Sequence, residues 1–144
     1  ISENEQIVID PKFIGVDKKE RPFKIQALQA VKTIENKDLF LLEKPSGEIK
    51  NINGGKTMVK SLKGKFDQKN QKVYLFNKVE LANIDGLVFK TESAQIDLES
   101  NEVVGKEKIF GENNEGKISS EGFEITDQGN KVIFTGKANL LIKQ

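Results

Sequence analysis

Apolar and polar residues alternate along most of this chain. Phe23, Ile25 and Ala27 stand against Lys24 and Gln26, and Val73, Leu75, Val79 and Leu81 share one parity. Near the end, Val132, Phe134, Ala138, Leu140 and Ile142 face Lys131, Thr135, Lys137, Asn139 and Lys143, with Ile133 and Leu141 as the exceptions. A period of two places one side chain inward and the next outward, which is the pattern of a half-buried strand. Polar clusters punctuate these runs at Asp67–Asn70, Asn83–Gly86, Glu99–Asn101, Glu112–Gly116 and Asp127–Asn130, and such clusters favour turns. The segment Ala27–Ile34 comes nearest to a helical spacing, but its flanks read as strand. The pattern predicts an all-β chain with little helix.

The chain also repeats itself. Gly64-Lys-Phe-Asp-Gln-Lys-Asn-Gln-Lys-Val73 superposes on Ala94-Gln-Ile-Asp-Leu-Glu-Ser-Asn-Glu-Val103 at an offset of 30 residues, and Gly122–Val132 follows 28 residues later with one extra turn residue. A weaker first copy starts at Ala30 and reaches Leu39. Each unit reads strand, turn, strand, with a small residue at its head. A single hairpin cannot bury a face alone, so the units must stack. Together these features predict a twisted open β-jelly roll built from stacked hairpin repeats. With 144 residues, one domain over 1–144 is expected.

Composition narrows the chemistry. The chain has no cysteine and no histidine, which removes most zinc, copper and haem sites and the Ser-His and Cys-His nucleophile arrangements. No cofactor and no enzymatic activity are expected. The net charge is +1, Arg21 is the sole arginine, and most lysines have an acidic neighbour close by, so neither a phosphate-tracking stripe nor arginine base readout is available and nucleic acid is excluded as a partner. Gly54-Gly-Lys-Thr57 has the end of a phosphate loop, but Lys50 stands where its first glycine belongs. Neither Asp85-Gly86 nor Asp127–Asn130 has calcium-loop spacing; both read as turns. Arg21 and the lysines of residues 18–24 read as a solvated loop, and Gly15, Gly64, Gly86, Gly122 and Gly136 as turn, bulge or close-packing positions.

One segment is more specific. Pro11-Lys-Phe-Ile-Gly-Val-Asp-Lys-Lys-Glu-Arg-Pro-Phe-Lys-Ile-Gln-Ala27 resembles the opening phrase of the LptC family, F-x-G-x-D-x-x-G-R-P-Y-x-I-x-A. Phe13, Gly15, Asp17, Arg21, Pro22, Phe23, Ile25 and Ala27 match it, while Glu20 replaces a glycine and Phe23 a tyrosine. The similarity continues through Gly64–Asp67, Val73–Leu75, Val79–Leu81, Asp85-Gly86, Thr91, Ala94–Leu98 and Phe134–Leu140. The resemblance implies a β-jelly roll in the periplasm, tethered to the inner membrane by an N-terminal helix upstream of Ile1. It also implies a place in lipopolysaccharide transport, beside an ABC transporter.

Physical chemistry turns that expectation into candidate residues. Each acyl methylene exposed to water costs about 0.8 kcal/mol, so a carrier must offer an apolar surface. The inward parity supplies candidates for a lipid groove: Ile25, Phe40, Met58, Phe66, Leu75, Phe89, Ile96, Phe123, Ile125, Phe134, Ala138 and Leu140. Open sheet edges can add a partner's strand. Ile7, Ile9 and Phe13 mark an N-terminal edge expected to face the transporter, and Val132, Phe134, Leu140 and Ile142 a C-terminal edge expected to face a periplasmic bridge jelly roll. A structural or carbohydrate-binding β-module of the cell surface is the alternative, and a hydrolase a third.

Overall fold

Alternation with a polar break every ten or so residues gives a meander, because each run reverses at its break and pairs with the one before. The computed structural model describes residues 5–33, 35–50, 55–84, 87–126 and 131–142. Its strands are β1 (Glu5–Ile9), β2 (Lys12–Val16), β3 (Pro22–Gln26), β4 (Gln29–Thr33), β5 (Leu39–Glu43), β6 (Ser46–Lys50) and β7 (Lys56–Lys60), followed by β8 (Lys63–Asp67), β9 (Lys72–Ile84), β10 (Leu87–Asp97), β11 (Glu102–Gly105), β12 (Ile109–Asn113), β13 (Gly116–Thr126) and β14 (Lys131–Ile142). No helix is present among the described residues. The candidate helix Ala27–Ile34 contains β4. The expected turns at 85–86 and 127–130, and Gly54, lie outside the described residues.

Every pairing among the described residues is antiparallel, and partners that are not consecutive strands, such as β1 and β4, belong to consecutive runs of the chain. The pairings show that β1 and β2 are two halves of one bent run, as are β3/β4, β5/β6, β7/β8 and β11/β12, while β9, β10, β13 and β14 each continue through the bend. Five broken and four continuous runs make nine. One half of every run forms layer 1, with order β1-β4-β5-β8-β9-β10-β11-β13-β14; the other half forms layer 2, β2-β3-β6-β7-β9-β10-β12-β13-β14. This is the expected jelly roll. The stacked repeats are its hairpins, with Ala30, Gly64, Ala94 and Gly122 each at the start of the layer 1 half of a run.

Six of the nine bends carry a local device. Asp10, Lys44, Asn77, Lys78 and Gly136 adopt positive φ, and β10 and β13 carry register shifts at Thr91/Ser93 and Ser120/Gly122; both devices turn a strand sharply. Successive corners are hydrogen-bonded to one another: Asp10 N–H to Leu28 O, Leu28 N–H to Glu43 O, Lys44 N–H to Leu62 O and Leu62 N–H to Asn77 O, at 2.8–3.0 Å. Carbonyls freed by the bends take buried hydroxyls, from Ser61 to Lys63 O, Thr91 to Lys108 O and Ser120 to Gly122 O. Three of the buried polar residues thus serve the corners.

Candidate functional site

The inner faces of the two layers form unbroken cross-strand rows. In layer 2 the row runs Phe13, Ile25, Gly47, Val59, Leu81, Phe89, Gly111, Ile118, Leu140. In layer 1 it runs Phe40, Phe66, Val73, Ile96, Val103, Ile125, Val132. Both rows reach the free edge strand β14. Three phenylalanines lie over the glycine opposite them: Phe23 over Gly15, Phe89 over Gly111 and Phe123 over Gly105. A methyl group at Gly111 would sit 2.5 Å from the Phe89 ring, so glycine is required there for the ring to lie flat.

The layers are displaced along the stacking direction. Phe13, in the first run, packs against Phe40 of the third and Phe66 of the fourth, with ring centroids 5.1 and 4.7 Å apart. Phe89, in the sixth, meets Phe134 of the ninth at 5.6 Å. Layer 2 therefore projects past layer 1 at the C-terminal end. This explains why Leu140 and Ile142 sit on the inner parity yet are 68% and 67% exposed. A recess of about 300 Å³ lies there beside Ile118, Leu140 and Ile142. A larger hollow, about 850 Å³, runs along layer 2 nearby, between Val88, Phe110, Leu140 and Leu141, with Lys90, Glu112 and Lys117 in its wall.

Eleven of the twelve sequence candidates for the groove lie on these inner faces. Ile25, Phe66, Leu75, Phe89, Ile96, Phe123 and Ile125 are buried in the core, and Phe40 and Phe134 are half-buried against it. Ala138, opposite Ser120, is on the inner face but exposed, as is Leu140. Met58 requires a correction. It pairs with Glu48 and Ala82 on the outer face and is 42% exposed, because Thr57 and Val59 carry the inward parity of β7. Apolar Met58 and Val59 are adjacent in sequence, so alternation alone left the choice of parity open; the pairing of Val59 with Leu81 decides it.

The edge candidates divide similarly. β1 pairs only with β4, β2 only with β3 and β14 only with β13 among the described residues, so Ile7, Ile9, Phe13, Val132, Phe134, Leu140 and Ile142 all lie on strands with one side open. Phe13 also points inward, where it closes the N-terminal end. Beside it, Lys32 sets its ammonium over the Phe40 ring, 5.4 Å from the centroid.

The sequence did not reveal a polar clasp just past the end of β2. Asp17, with a fully buried side chain, accepts hydrogen bonds from the Lys19 and Arg21 backbone N–H groups at 2.8 Å, from Arg21 Nε at 2.5 Å and from Asn101 Nδ2 at 2.8 Å. Lys18 N–H donates to Glu99 O at 3.0 Å, and the Lys18 and Glu99 side chains pair at 3.2 Å. The β2–β3 turn is thereby tied to the β10–β11 turn of the other layer. Burial pushes the Asp17 carboxyl up, but the donors of Arg21 and Lys19 and the Arg21 charge outweigh it and hold the group below its ordinary value. Arg21 is therefore a tied residue and not a solvated one. Asp17 and Arg21 stand four apart in the opening phrase, a visible signal; Asn101 lies 84 residues from Asp17 and gave none.

The family model for lipopolysaccharide assembly, LptC-related, matches residues 24–139. The chain belongs to the LptC family. The match begins at Lys24, so most of the opening phrase lies ahead of it. An uncharacterized protein of Rickettsia prowazekii (strain Madrid E), RP506, is 30% identical over 139 residues, covering 94% of this chain and 66% of the relative. The chain thus spans just under two thirds of that relative's length. Both inner rows end on β14, and the layer 2 row begins on β2. The opening phrase acquires a physical meaning: Gly15 receives the Phe23 ring, and Asp17 and Arg21 build the clasp.

Proposed function

We propose that this domain is a non-enzymatic station of lipopolysaccharide transport in the periplasm, anchored to the inner membrane by an N-terminal helix. It takes acyl chains from the ABC transporter at the β1/β2 edge, holds them between its layers and hands them to a bridge jelly roll at the β14 edge. The observation that carries this reading is the inner face of layer 2, which runs apolar to a free edge and emerges there uncovered at Leu140 and Ile142. Exposed apolar side chains on an inward parity cost free energy unless something apolar covers them. Beside them, β14 offers unpaired backbone groups to which a partner strand can add.

The test is photo-crosslinking in cells that make lipopolysaccharide, with a benzophenone side chain at Phe134, Leu140 or Ile142 and a control at Leu141, which pairs with Lys117 on the outer face. Lipopolysaccharide adducts at the inner positions and not at Leu141 support the reading. A folded, membrane-tethered protein with no lipid adduct at any of the three would return the domain to a structural β-module.

A further inference from the structure

The two ends of the interlayer space differ. At the C-terminal end the inner face lies open at Leu140 and Ile142. At the N-terminal end Phe13 fills the space between the layers against Phe40 and Phe66, and the turn at residues 17–21 reaches across to residues 99–101. We infer that Phe13 and the Asp17 clasp form a gate over the N-terminal end, closed in this structure, which must swing aside for an acyl chain to enter.

Three features make this element the movable one. β2 has a strand neighbour on one side only, β3, so outward motion of the β2 end need not break a two-sided ladder. The tie to the other layer is one hydrogen bond from Asn101 to the Asp17 carboxylate, bonds from Lys18 N–H and the Arg21 guanidinium to the Glu99 and Ser100 carbonyls, and the exposed Lys18–Glu99 ion pair, the kind of contact that opens and recloses without loss of the core. Finally, the closed clasp leaves Ser100 Oγ and Asn101 Oδ1 buried without a hydrogen-bond partner. Such groups favour the state that returns them to water, so the clasp is poised rather than locked. Removing Phe13 from Phe40 and Phe66 would uncover Phe66, now 3% exposed, as the first apolar surface an entering chain meets. The gate accordingly couples entry to displacement of an aromatic ring by an acyl chain, an exchange of one apolar contact for another.

This inference rests on the lipid-carrying reading, and one experiment separates the two. The chain has no cysteine, so the double variant Asp17→Cys/Asn101→Cys carries a single thiol pair that a short bis-alkylating reagent can bridge. Uptake of purified lipopolysaccharide is followed by stopped-flow fluorescence for the bridged and unbridged forms, both checked for β-structure by circular dichroism, and for Phe13→Ala, which keeps the clasp and removes the ring. The expected result is uptake at least ten-fold slower in the bridged form than in the unbridged one, and several-fold faster in Phe13→Ala than in the parent chain. Equal uptake rates in bridged and unbridged protein, or an unchanged rate in Phe13→Ala, overturn the gate while leaving the carrier reading intact. No uptake by any form, parent included, overturns both.

Discussion

Asp17 shows how much one side chain can hold. A buried carboxylate is tolerated only when donors replace its water, and here four do. Asp17→Ala is expected to cost about 3 kcal/mol, read as a lower urea midpoint. The pH dependence follows from the lowered pKa. A carboxyl that is more acidic folded than unfolded stabilises fully above its unfolded value, near 3.8, and loses that contribution as the pH falls through this value toward the folded one. The parent chain should thus lose stability below about pH 4 more steeply than Asp17→Asn, with thermal unfolding across pH 2–6 as the check. Gly111 offers a second case. Because an added methyl would press on the buried Phe89 ring, Gly111→Ala should cost about 1–3 kcal/mol, and combining it with Phe89→Leu should cost less than the two changes summed. Neither partner can be read from the sequence. A glycine in a strand announces a close approach, but what approaches lies in another run.

At the scale of the element, parity was readable wherever one apolar set alternated with one polar set, as in β3, β9 and β14. It failed at β7, where Lys56-Thr-Met-Val-Lys60 fits either face. The structure turns Val59 inward, so Val59→Ala should cost about 2 kcal/mol whereas Met58→Lys should stay within about 0.5 kcal/mol; chemical denaturation of both variants tests the assignment. β14 poses the opposite question, since its inner residues are exposed. Leu140→Asp should leave stability within about 0.5 kcal/mol yet abolish lipid adducts from a probe at Ile142. A large stability loss instead would mean that Leu140 belongs to the core. The repeat in the sequence located the hairpins because Ala30, Gly64, Ala94 and Gly122 occupy equivalent places just past the corner. The offset of the layers was not legible, as no local pattern records which run of layer 1 faces which run of layer 2.

At the scale of the molecule, the described residues form nine runs paired in sequence order, each contributing to both layers. Loss of contacts at either end should leave the middle intact, since each run touches mainly its neighbours in the meander. Hydrogen exchange should accordingly be slowest in β8, β9 and β10, where Val73, Val79, Leu81 and Phe89 are all but inaccessible, and fastest in β1 and at the end of β14; uniform protection along the chain would contradict that. The aligned corners have one more mechanical implication. Each run crosses from layer to layer through covalent backbone, and successive corners are stitched to each other by hydrogen bonds, so the layers cannot slide past one another. They can only open like the covers of a book about its spine, and the gap then grows with distance from that spine. Widening is therefore greatest at the outer margin where Asp17 and Asn101 meet, and a rigid stitched hinge converts a small change of angle there into room for a hydrocarbon chain.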